Sequence, residues 1–84
     1  MTIQEFIKNR SHLFWYVQDL ENLSLDVIVE AVLNDGTWDD VQKLINILGI
    51  KKVSEIFREK SAMKRSNYRP EIKNYFTLYF NRYA

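Results

Sequence analysis

The stretch Ser24-Leu25-Asp26-Val27-Ile28-Val29-Glu30-Ala31-Val32-Leu33-Asn34-Asp35-Gly36-Thr37-Trp38-Asp39-Asp40-Val41-Gln42-Lys43-Leu44-Ile45-Asn46-Ile47-Leu48-Gly49 decides the fold class. Leu25, Ile28, Val29, Val32 and Leu33 repeat at helical spacing, so a helix opening at Ser24 has one apolar face. Asn34-Asp35-Gly36 supplies its stop. Thr37 follows at once as a second N-cap, with Asp39 and Asp40 in the first turn, where negative charge suits the helix dipole. A strict capping box wants Glu or Gln where Asp40 stands. Val41, Leu44, Ile45 and Leu48 make the buried stripe of this second helix, and Gly49 ends it. Ile50 stands where a Schellman motif makes its hydrophobic contact.

Working toward the N-terminus, Ile3, Phe6 and Ile7 with Thr2 as N-cap predict a short helix over residues 2–10. Leu13-Phe14-Trp15-Tyr16-Val17 is a continuous apolar run. A lone strand here has no pairing partner, so the expectation is an irregular or short helical plug in the core. Toward the C-terminus, Val53, Ile56 and Phe57 predict a helix over 51–60, followed by a polar, basic connection over 61–69. Pro70 suits the first position of a last helix, on which Ile72, Tyr75, Phe76, Tyr79, Phe80 and Tyr83 form one broad stripe opposite Asn74, Thr77 and Asn81. No hairpin signature, βαβ alternation or internal repeat is present. The expected fold is all-α, a compact orthogonal array of four to five short helices in one domain over 1–84.

An 84-residue chain is near the lower end of what folds without staples. With no cysteine, neither disulfides nor a thiolate zinc site can support the core, which must be apolar side chains. No run of apolar residues is long enough to span a membrane, and Met1 to Arg10 does not read as a signal peptide, so the expected location is the cytoplasm. The net charge of +1 hides an asymmetry: residues 1–40 carry −6 and residues 41–84 carry +7. Either the surface has an acidic and a basic pole, or the halves attract each other across the fold.

Catalysis is not expected. His12 is the only histidine, so no histidine cluster or paired-histidine constellation can form, and neither a metal nor a cofactor is implied. A lone histidine beside an apolar run reads as structural. Asp35, Asp39 and Asp40 surround Gly36 but lack the alternation and late glutamate of a calcium loop, and helix capping explains them. The two glycines cannot build a phosphate-cradling loop.

Two surfaces have binding chemistry. Lys51, Lys52, Arg58, Lys60, Lys64, Arg65, Arg69 and Lys73 fall within 23 residues, and the segment Lys64 to Arg69 could track phosphates with Tyr68 available to stack. The plainer explanation is a solvated loop. A helix-turn-helix centred on Gly49 fits poorly, because Ile45 is large where a small residue is usual and Glu55 stands at a position that should be buried. The second surface is the C-terminal stripe. Tyr75, Tyr79 and Tyr83 pair large rings with polar tips, and a stripe of about 140° exceeds what one neighbouring helix covers. The plainer reading of the stripe is packing on the core; the excess width is expected to meet a partner or a second copy of the chain.

Leu13-Phe14-Trp15-x-Val17, Ile28-Val29-Glu30-Ala31-Val32-Leu33, Asp35-Gly36-x-Trp38-x-Asp40 and Asn74-Tyr75-Phe76 resemble the motifs of a small uncharacterised bacterial family. Its genes often neighbour nucleotidyltransferase toxins of the AbiEii type. The resemblance covers residue 13 to about residue 80 and departs at Ala31, where an arginine is usual, and at Tyr16, where an acid is usual. It implies an antitoxin-like protein that masks a partner nucleotidyltransferase. The acids Asp19, Glu21, Asp26 and Glu30 would then complement a basic cleft of the enzyme. The alternative is a small DNA- or RNA-binding regulator using Lys51, Lys52, Lys64, Arg65, Tyr68 and Arg69. A third expectation is self-association, as a homodimer, through the aromatic helix.

Overall fold

Residues 2–14, 23–63 and 68–84 are described by the structure, a computed structural model. The first of the two decisive helices, α2 (Leu25–Asp35), starts where Ser24 holds an extended backbone, and it buries Ile28, Val29, Ala31, Val32 and Leu33. It stops at Gly36, though for a different reason from a left-handed cap. Gly36 has φ −77° and ψ 164°, a conformation open to any residue. What requires glycine is space: a Cβ here would lie 2.6 Å from the Val32 carbonyl oxygen and 3.2 Å from Asp40 Cβ.

Helix α3 (Trp38–Leu48) opens on a complete capping box. Thr37 Oγ1 accepts from the Asp40 N–H at 3.2 Å, and Asp40 Oδ2 accepts from the Thr37 N–H at 3.0 Å. The shorter aspartate therefore closes the reciprocal pair that glutamate usually makes. The expected Schellman end does not form. Gly49 has φ 89° and ψ 142°, outside the left-handed helical region, and the chain enters α4 (Ile50–Ser61) directly. Ile50 is the first residue of α4 and packs partly buried on the core.

Helix α4 touches α2, α3 and α5 (Pro70–Tyr83) and buries Val53, Ser54, Phe57 and Ser61. Its two serines donate back to the carbonyls of Lys51 and Arg58, so their burial leaves the hydroxyls satisfied. The Phe57 ring lies 5.0, 6.2 and 5.4 Å from those of Tyr68, Phe76 and Phe80, which ties the end of the chain to the core. Each such ring contributes about 1.5–3 kcal/mol by burial.

At the other end, α1 (Ile3–Lys8) is capped by Thr2, whose Oγ1 accepts from the Glu5 N–H, and it buries Phe6 and Ile7 completely. A 3₁₀ turn over Ser11–Phe14 then inserts Leu13 and Phe14, the beginning of the expected plug. Trp15, Tyr16 and Val17 lie outside the described residues. The described residues hold five short α-helices, one 3₁₀ turn and no strand, so the fold is an all-α small array. The radius of gyration, 12.1 Å, matches the ~12 Å of a compact chain of this length.

Candidate functional site

The stripe on α5 is wider than the core beneath it. Phe76 and Phe80 are buried, Ile72 and Tyr79 are partly buried, and Tyr75 and Tyr83 stay 50% and 57% exposed. Trp38, the first residue of α3, leans across this uncovered flank and is itself 50% exposed. Its ring meets those of Tyr75 and Tyr79 edge-on, at 6.2 and 5.4 Å. Tyr75 and Tyr79, one turn apart, lie nearly parallel, and Tyr79 continues to Tyr83 at 4.9 Å. Gln42 Nε2 donates a long hydrogen bond, 3.5 Å, to the Tyr79 hydroxyl, and the Arg82 guanidinium sits over the Tyr83 ring. Leu78, 63% exposed, extends the surface. Scattered exposed apolar side chains need no explanation, but a connected set of this kind does.

Of the residues expected to bind a protein partner, Tyr75, Tyr79 and Tyr83 therefore share one surface. Of the acids, Asp26 and Glu30 stand on α2, away from that helix. Asp26 pairs with Lys60 at 2.9 Å, and the Ser24 hydroxyl and Lys60 hold its carboxyl below the usual range. Glu30 is partly buried on α2, and Asp19 and Glu21 lie outside the described residues. Among the described residues, the asymmetry of charge along the chain is met internally in three places. Asp26–Lys60, Asp35–Arg69 at 2.6 Å and Asp39–Lys43 at 3.1 Å each join the acidic half to the basic half.

The described nucleic-acid candidates, Lys51, Lys52, Tyr68 and Arg69, have separate surroundings. Tyr68, expected to be available for stacking, is 6% exposed, with its ring packed on Phe57, and its burial pushes the phenol far above the ordinary tyrosine value. It cannot reach a base without leaving the core. Arg69 clamps α2 to α5: its guanidinium holds Asp35, and its backbone N–H donates to Asn34 Oδ1 at 3.2 Å. Arg58 reaches the Phe80 carbonyl at the end of α5. Lys51 and Lys52 are exposed and make no ion pair among the described residues, while Lys64 and Arg65 lie outside them.

Sequence reasoning missed three features. Arg10 is largely buried, and its Nε donates to Asp40 Oδ1 at 2.6 Å while the guanidinium stacks on Phe6. Trp38 and Leu78 belong to the aromatic surface, and Leu78 was detectable because it falls three residues after Tyr75, beside the stripe. His12, expected to be structural, is exposed, at an open depression lined also by Arg10, Asp40 and Lys43. Among the described residues no group of three or more histidine, aspartate or glutamate side chains lies close enough to hold a metal ion, and no helix is long and apolar enough to cross a membrane. Comparison with protein-family models, curated proteins and solved structures finds no match.

Proposed function

We propose that this is a non-catalytic, cytoplasmic binding protein whose contact surface is the aromatic face of Trp38, Tyr75, Tyr79 and Tyr83, extended by Leu78. The observation that carries the proposal is the half-exposure of three large aromatic side chains already held against one another by ring contacts. Rings ordered before binding lose little freedom when covered, and such side chains supply most of the energy of protein interfaces. The partner class, a nucleotidyltransferase of the AbiEii type, comes from the motif resemblance. The aromatic face supports protein binding without selecting among proteins. Asp26 is engaged by Lys60 within the chain, so it is at most an accessory to this face.

Co-expression with the product of the neighbouring gene, followed by purification through a tag on this protein, tests both parts. A stoichiometric nucleotidyltransferase in the eluate, lost when Trp38→Ser and Tyr75→Ser are combined, is the expected result. Loss of two hot-spot rings should weaken capture by at least about 2 kcal/mol, roughly 30-fold. Capture unaffected by the double variant overturns the assignment of the surface. Nucleic acid in the eluate, released by Lys51→Ala with Lys52→Ala, would shift the function to the basic segment.

A further inference from the structure

Four exposed residues of α5, Glu71, Tyr75, Leu78 and Arg82, follow one another at intervals of four, three and four, the spacing of a coiled-coil seam. They lie along one flank of the helix, beside the buried stripe. We infer that this seam takes a second copy of the same chain, with the two α5 helices antiparallel. The pattern is self-complementary about its midpoint. Reversing one helix sets Tyr75 level with the other copy's Leu78, and sets Glu71 level with the other copy's Arg82. An isologous two-fold contact requires each such match to occur twice, and this one does. Two apolar layers at the centre are then flanked by two ion pairs.

The charges are disposed for such a contact. Neither Glu71 nor Arg82 makes an ion pair within the chain among the described residues. A parallel arrangement would instead place Glu71 against Glu71 and Arg82 against Arg82, so the ends select the antiparallel register. Trp38, packed on Tyr75, widens the contact at its edge. A helix of 14 residues is about 21 Å long, and its seam with this border falls short of the ~800 Å² per partner of a standard stable complex. The dimer is therefore weak and concentration-dependent, with dissociation in roughly the micromolar to sub-millimolar range.

The inference deepens the binding proposal by naming an occupant, and it rests on the same face being a contact surface. Sedimentation equilibrium over roughly 5 to 500 μM protein brackets that affinity. The mass should rise from one chain toward two. Leu78→Asp should remain one chain throughout, with an unchanged helical circular-dichroism spectrum, since Leu78 supports no core. Glu71→Arg and Arg82→Glu should each weaken association about tenfold, by setting like charges together twice. Mixed in equal amounts, these two variants should associate as the wild type does, because each altered end then faces a complementary one.

A wild-type mass of one chain at the highest concentration overturns the dimer, as does association indifferent to Leu78→Asp or a charge-variant mixture without recovery. If the wild type stays monomeric while Leu78→Asp still abolishes capture of the co-expressed partner, the face stands as a binding surface and only the second copy is rejected. If neither self-association nor capture responds, both proposals fall.

Discussion

Replacing Asp40 by alanine removes one carboxylate from two structural tasks. Its Oδ2 holds the Thr37 N–H at the start of α3, and its Oδ1 holds Arg10 Nε at 2.6 Å. The side chains of that pair are 10% and 13% exposed, so water cannot readily replace the lost partner. Loss of half the capping box costs about 0.5–1 kcal/mol, and stranding the Arg10 guanidinium costs about 1.5–3 kcal/mol more. The sum, about 2–4 kcal/mol, is a large share of the ~4–12 kcal/mol expected for a domain of this size. It should lower Tm by roughly 10 °C or more. Urea unfolding of Asp40→Ala, Asp39→Ala, Arg10→Met and the Asp40/Arg10 double variant measures the effect. Asp39 is the internal control, because its pair with Lys43 is exposed and worth under about 0.5 kcal/mol. The double variant should be more stable than the two single losses add up to, since the guanidinium is no longer stranded. A pH series adds an independent readout. Partial burial pushes the Asp40 carboxyl upward, but the Thr37 backbone N–H and Arg10 outweigh it and hold the group below its ordinary value. Its contribution is therefore complete above the ordinary aspartate range near pH ~4 and fades as pH falls through the lower folded value. Asp40→Ala should flatten that acid limb. If Asp40→Ala behaves like Asp39→Ala, or the cycle shows no coupling, the pair does not support the fold as argued.

The two glycines should fail for different reasons. Gly36→Ala is expected to cost about 1–3 kcal/mol through collision with the Val32 carbonyl, despite an ordinary backbone conformation. Gly49→Ala meets no atom within 4 Å, yet φ +89° with ψ 142° should cost about 1–3 kcal/mol, and Gly49→Asn should not relieve it because that ψ lies outside the left-handed region asparagine tolerates. Chemical denaturation separates these from neutral changes. Tyr68 should ionise above the ordinary tyrosine range, as followed by tyrosinate absorbance. Burial, and then the nearby Glu30 and Asp26, raise its phenol above 10.0, so its contribution is full below that value and is lost as pH rises further. Tyr68→Phe should accordingly shallow the alkaline unfolding limb. Phe57→Ala should cost about 3–5 kcal/mol, the largest single-residue loss in the core, because three aromatic rings rest on it.

Much of the helix arrangement is written locally. Thr2, Thr37 and Pro70 mark helix starts by capping chemistry that depends on neighbours a few residues away, and each stands at the start expected for it. Apolar spacing likewise identifies Ile28, Val29 and Val32 on α2 and Phe76 and Phe80 on α5 as core. Features that depend on distant parts of the chain were not legible. Asp40 looks like a helix cap until Arg10, thirty residues earlier, is seen to share it. Tyr68 looks accessible in a basic connection until Phe57 draws it inward. On α5, periodicity shows a stripe broader than one neighbour can cover, but not which edge remains open. The position of Trp38 identifies that edge. Charge counts by halves left two readings open, and the pairs of Asp26 with Lys60 and Asp35 with Arg69 agree with attraction between the halves.

The most direct test of a binding face on α5 is an amide chemical-shift map of the isotopically labelled protein, recorded from dilute to concentrated and again with the co-expressed partner added. Shifts concentrated at Glu71, Tyr75, Leu78 and Arg82, with the Trp38 indole, are the predicted result. Shifts confined to Lys51 and Lys52, or none at α5 under either condition, would contradict it.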